Sequence, residues 1–140
     1  MDPRPLQKIL MVDDERDIRE VARLALELVG GYSVCLCASG AQALAEGPAF
    51  APDLIVLDVM MPGMDGPATL AALRRTPPFA STPVVFMTAK AQPQQVQQFL
   101  ALGAVDVIAK PFQAMQLAQH LAAIWSRVAP APESPACLSK

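Results

Sequence analysis

The sequence has 140 residues, 53% of them hydrophobic and 17% charged, with a formal net charge of -2 at pH 7. That length suits one domain, and the apolar fraction is enough to fill a core, which excludes a chain disordered throughout. The charge excludes a general attraction to nucleic acid or an anionic membrane, and no apolar run nears the roughly 20 residues that span a bilayer.

In chain order, residues 1–8 are polar and hold two prolines, unlike a secretory leader, so the expected location is cytoplasmic with no membrane insertion. Residues 9–12 are a predicted strand, followed by Asp13, Asp14 and Glu15. Ile18, Val21, Ala22, Ala25, Leu28 and Val29 then form the apolar stripe of a first helix, which Gly30 stops. Residues 33–38 are the second predicted strand. Within it Cys35 and Cys37 stand two apart, which puts both on one face, where they read as thiols filling core volume. Adjacent positions on one strand are poorly placed for a disulfide, and no metal-ligand spacing surrounds them. Ser39 caps a short second helix through Leu44. Residues 54–57, 84–87 and 105–108 are the remaining strands, ending at Asp58, Thr88 and Lys110 respectively. Pro67 and Pro93 sit where a first helical turn tolerates proline. The last helix carries Ala118, Leu121, Ala122, Trp125 and Val128 on one side. Residues 129–140, rich in proline and holding Cys137, read as a disordered tail, so the domain is residues 1–128.

Short apolar strands alternating with helices predict an α/β fold, a doubly wound parallel sheet. Right-handed crossovers leave few topologies, and the flavodoxin-like five-stranded order 2-1-3-4-5 with five helices is a common one. Ligands of such sheets bind beyond the carboxyl ends of the strands. That edge collects Asp13, Asp14, Asp58, Thr88 and Lys110. Carboxylates about 4 Å apart at an effective dielectric near 20 repel by on the order of 4 kcal/mol per pair, so the cluster calls for a cation. An oxygen-rich site without histidine or cysteine selects Mg²⁺. Asp58, alone at the end of a central strand, is the best phosphoryl acceptor, and Asp14, with Asp13 behind it, the better metal ligand. Lys110 and the Thr88 hydroxyl can each bind a phosphoryl oxygen. Singly, each residue has an ordinary explanation: the acidic pair as a helix cap, the threonine as a turn hydroxyl, the lysine as solvated surface.

The run from Asp58 to Gly66, Asp-Val-Met-Met-Pro-Gly-Met-Asp-Gly, joins Asp13-Asp14, Thr88-Ala89 and Lys110-Pro111-Phe112 in a set that resembles the receiver domains of bacterial two-component response regulators, including their single-domain chemotaxis type. The resemblance covers about residues 7–128. It implies that Asp58 is phosphorylated, that Asp14, Asp58 and the Met60 carbonyl bind Mg²⁺ with Asp13 acting partly through water, that Thr88 moves toward the phosphoryl group, and that Lys110 pairs with it. It also implies a cis Lys110–Pro111 bond. The expected donor is a histidine kinase or histidine phosphotransfer protein, approaching the first-helix face beside the site.

The chain departs from that family at Val107, where receivers carry a ring that swings inward; phosphorylation is then expected to be read through the loop after Thr88 and the Pro93 helix. Met60, two after the acceptor, cannot orient an attacking water, which implies slow self-dephosphorylation; Lys90 either tunes that lifetime or is simply solvated. The glutamine-rich surface of Gln94, Gln95, Gln97, Gln98, Gln113, Gln116 and Gln119 lacks dense opposite charges, so a monomer or weak dimer is expected. His120 reads as a surface residue. No DNA-binding segment is evident, and output is expected through contacts with a downstream protein. Two other readings stand beside this one: a receiver-like scaffold that is never phosphorylated, and an Mg²⁺-dependent aspartyl-phosphate phosphatase, which Met60 in place of a second acid disfavours. On the leading reading the chain is no enzyme, catalysing only its own phosphorylation and dephosphorylation.

Overall fold

The computed structural model describes residues 5–128; the expected tail lies outside them. Five strands, β1 (Lys8–Val12), β2 (Ser33–Cys37), β3 (Leu54–Asp58), β4 (Val84–Thr88) and β5 (Asp106–Ala109), alternate with helices α1 (Arg16–Leu24), α2 (Gly40–Phe50), α3 (Gly66–Arg74), α4 (Pro93–Ala101) and α5 (Ala114–Val128). All neighbouring strands are parallel, in the order β2-β1-β3-β4-β5. The flavodoxin-like sheet expected from the alternation is therefore the one observed.

Successive side chains along a strand enter opposite layers. Ile9, Met11, Val56 and Met87 pack with Ala22 of α1 and with Leu117, Leu121 and Ile124 of α5. Leu10, Val12, Leu57 and Phe86 pack on the other face with Ala43 of α2, Leu70 and Leu73 of α3, and Phe99 of α4. Because both faces are covered, Leu54, Ile55, Val56 and Leu57 of β3 are fully buried. Burial of each such side chain stabilises by about 1.5–3 kcal/mol, enough to fix this strand at the centre.

Three expectations need correction. After Leu24 the first helix passes into a π-helical turn, Ala25–Val29, in which the Gly30 N–H donates to Ala25 O at 3.3 Å. The wider turn breaks the 3.6-residue period. Leu26 is buried, while Val21, Leu28 and Val29, half of the expected core stripe, are exposed, as is Leu24. Second, α2 does not end near Leu44 but runs to Phe50, with Pro48 inside it, and closes on Ala51, whose N–H donates to Gly47 O. Gly47, inside the helix, is there for packing: a Cβ would come within 2.7 Å of the Phe79 ring. Third, Ala122 of α5 is exposed, and Leu117 and Ile124 take its place in the core. The Ser39 cap is as expected, its side chain accepting from the Gln42 N–H at 3.0 Å. The Lys110–Pro111 peptide is cis.

Candidate functional site: an acidic cluster at the carboxyl edge of the sheet

The parallel ladder carries Asp13, Asp58, Thr88 and Lys110 to the same edge. Asp13 extends β1 by one residue, its N–H donating to Cys37 O at 3.0 Å, and its Oδ1 turns back to accept the Glu15 N–H at 2.9 Å. Arg19 of α1 steadies the same corner, its Nη1 donating to Asp13 O at 2.8 Å. Sequence spacing gave no sign of that contact. Asp58 closes β3, and Thr88 closes β4. The Lys110 N–H donates to Thr88 O at 2.8 Å, which sets where the lysine side chain starts.

Gly66 explains the loop after Asp58. Its N–H donates to Val59 O at 2.8 Å, and a Cβ there would come within 2.6 Å of Asp58 O. Only a residue without a side chain lets α3 start this close to the strand end. Asp65 caps that helix, Oδ1 accepting from the Ala68 N–H at 2.9 Å.

Lys110 Nζ lies 2.9 Å from Asp58 Oδ1, to which it donates, 2.9 Å from Asp13 Oδ2, and 3.8 Å from Glu15 Oε1. Asp13 and Asp58 are buried, Asp14 is exposed beside them, and one carboxylate oxygen from each lies within 4.8 Å of the others. Burial pushes the Asp58 carboxyl up to about 6, with the Lys110 hydrogen bond opposing and the Asp13 and Asp14 charges adding to the rise. Burial alone would lower the Lys110 ammonium, but the adjoining Asp13 and Asp58 carboxylates outweigh it, and its value is raised. One ammonium thus faces three carboxylates. The contact with Asp13 Oδ2 has the distance of an ion pair without the angle of a hydrogen bond, so that fully buried oxygen keeps an unused lone pair. A buried acceptor of this kind, with two further carboxylates in reach, fits a hard cation with oxygen ligands.

The Thr88 hydroxyl oxygen accepts from the Lys90 N–H at 3.0 Å, closing a turn over the site. Lys90 itself is exposed, as is the Met60 side chain at 71%. His120 is exposed on α5. Val107 is half-buried and packs toward the α4 layer, where Phe86 and Phe99 meet edge to face with ring centroids 5.1 Å apart.

The two cysteines share a face, as expected, but their surroundings were not foreseen. Burial pushes the Cys37 thiol up to about 12, the neighbouring Cys35 adding to the effect, and burial likewise raises Cys35. Glu46 of α2 comes within 4.8 Å of both sulfurs. No metal-ligand spacing surrounds them in the sequence; the third group comes from the next element, where strand spacing has nothing to say.

Among the described residues no helix is long and apolar enough to cross a membrane. Residues 9–122 match the family model of the response regulator receiver domain. The chain is 38% identical over 122 residues to the phosphate regulon transcriptional regulatory protein PhoB of Pseudomonas aeruginosa, covering 87% of this chain and 53% of that one. It is also 38% identical over 122 residues to the transcriptional regulatory protein CpxR of Escherichia coli, covering 87% and 50%. The chain thus spans about half the length of the curated relatives it matches. Among solved structures, the chemotaxis response regulator CheY4 of Vibrio cholerae superposes with a TM-score of 0.78 at 33% identity, covering 85% of this chain and 98% of that one. A putative response regulator from Chloroflexus aurantiacus superposes at 0.76 with 31% identity, covering 86% and 98%. Sequence, strand order and the edge where the acidic residues gather agree, and the chain belongs to the receiver-domain family of two-component response regulators, which are signalling modules.

Proposed function

We propose that this receiver takes a phosphoryl group onto Asp58 from the phosphohistidine of a histidine kinase or phosphotransfer protein, with Mg²⁺ bound, and signals through the resulting change in its surface. The observation that carries this reading is the position of Lys110 Nζ, 2.9 Å from both Asp58 Oδ1 and Asp13 Oδ2. The lysine orients the acceptor carboxylate, leaving its other oxygen to attack phosphorus as the P–N bond of the donor breaks and the imidazole departs. Bound between Asp13, Asp14, Asp58 and the Met60 carbonyl, Mg²⁺ would supply charge neutralisation for the phosphoryl oxygens. Lys110 then follows the new phosphoryl oxygens as a point charge, and the Thr88 hydroxyl exchanges its turn for a bond to one of them.

The response travels from Thr88 into the loop bearing Lys90 and on to α4, which touches β4 through Phe99 on Phe86. Val107, stiff at χ1, contributes little. Amide shifts recorded with and without a phosphoryl mimic should concentrate at residues 88–101; a large side-chain rearrangement at Val107 would contradict this route.

The exposed apolar side chains Val21, Leu24 and Leu28, with Met115 at the start of α5, line a groove that suits a helical partner such as the donor protein. Output passes from a monomeric or weakly dimeric receiver to a downstream protein, and the chain turns over no external substrate. Phosphoramidate, whose P–N bond imitates phosphohistidine, should label the protein in the presence of Mg²⁺, and hydroxylamine should release the label as it does from an acyl phosphate. A label that resists hydroxylamine, or turnover of an external phosphate ester, would overturn the proposal.

A further inference from the structure

We infer that Cys35, Cys37 and Glu46 form a second metal site, selective for a thiophilic cation of the Zn²⁺ class, between the edge strand β2 and α2 and built from none of the residues of the phosphorylation cluster. One donor atom from each residue lies within 4.8 Å of the other two. Tetrahedral ligands bonded to Zn²⁺ at about 2.3 Å through sulfur and about 2.1 Å through oxygen sit roughly 3.5–3.8 Å apart, so closure asks for movements near 1 Å. The framework can supply them. β2 is an edge strand, bonded only to β1, and shifts without disturbing a second ladder.

The carboxylate is already oriented. Glu46 Oε2 accepts from Gln42 Nε2 at 2.9 Å, and Gln42 Oε1 in turn accepts the Ala38 N–H at 2.7 Å. Metal-binding carboxylates are characteristically fixed by such outer hydrogen bonds. The three groups also run from the interior to solvent: Cys37 is buried, Cys35 half-buried and Glu46 exposed, which provides an entry path and leaves a fourth position for water. On binding, each thiol releases its proton to solvent, and two thiolates with one carboxylate surround the dication. The donor chemistry separates the two clusters. Three carboxylates favour a hard cation, while two sulfurs favour Zn²⁺, Co²⁺ or Cd²⁺. Occupancy would clamp β2 to α2 across the layer that both help to build.

The test is a Co²⁺ titration of the reduced full chain carrying Cys137→Ser, in excess Mg²⁺ to hold the acidic cluster. The expected result is a near-ultraviolet thiolate-to-cobalt charge-transfer band that saturates at one Co²⁺ per chain, is bleached by Zn²⁺, and persists with Asp58→Asn. Adding Cys35→Ser should abolish the band. Glu46→Gln, at an exposed position, removes a charged ligand and should weaken Co²⁺ binding by at least about tenfold, the lower bound for loss of a group that merely supports a metal ligand. Absence of a band, or a band of unchanged affinity in Glu46→Gln, would overturn the site. If Cys35→Ser fails to fold, the Glu46→Gln affinity decides alone.

Discussion

The raised Asp58 carboxyl makes the metal-free domain less stable as pH rises, and the size of that effect follows from the site. Burial is the main cause, and it moves the group from an ordinary 3.8 up to about 6. The folded state then holds this proton more tightly than the unfolded state. The associated stability is fully present below the unfolded value and is lost as pH climbs through the folded one. A shift of about two units corresponds to roughly 3 kcal/mol. Solvent screening and relaxation of the Lys110 contact reduce this to about 1–2 kcal/mol. Urea unfolding in EDTA, followed by circular dichroism between pH 4 and 7.5, isolates the contribution when the wild type is compared with Asp58→Asn. The variant should gain about 1–2 kcal/mol relative to wild type across that range, and Mg²⁺ should stabilise the wild type more at pH 7.5 than at pH 5. A flat difference, or a wild type that gains on the variant as pH rises, would refute the reasoning.

Lys110→Ala removes the ammonium held between Asp13 and Asp58, and loss of a charge-assisted hydrogen bond worth about 1.5–3 kcal/mol should slow phosphorylation about tenfold to a hundredfold; an unchanged rate of adduct formation would exclude Lys110 from the reaction. Gly40→Ala would drive its methyl group into Thr69 Oγ1, a buried atom with no hydrogen-bond partner among the described residues. Overpacking of this kind costs about 1–3 kcal/mol, and a second substitution, Thr69→Ala, should recover most of it in urea unfolding. Because the Met60 side chain offers no polar group to a water, the phosphorylated form should outlast many minutes in purified protein; loss within a few seconds would show that another residue directs hydrolysis.

What the sequence made legible follows from which interactions are local. β3 and β4 are continuous apolar runs, and only a strand covered on both faces needs such runs, so their placement and the positions of Asp58 and Thr88 could be read directly. The edge on which the acidic residues meet followed from strand alternation, although Lys110 and Asp58 are 52 residues apart. Three features were hidden because they arise from contacts between elements. The π-helical turn after Leu24 changes which residues of the first helix face the core, and a constant helical period cannot register it. Gly47 and Pro48 look like a helix end, yet the ring of Phe79 requires the glycine where it stands. Glu46 reaches Cys35 and Cys37 only because α2 continues past Leu44. Arg19, which holds the Asp13 carbonyl, belongs to the same class.

The most direct test of the central claim is intact-protein mass spectrometry after incubation with acetyl phosphate and Mg²⁺, run beside Asp58→Asn and a metal-free control. The expected result is a single added phosphoryl group on the wild type, absent from the variant and from the metal-free sample. No adduct on wild type with Mg²⁺ binding verified separately, or an adduct that survives Asp58→Asn, would contradict the account.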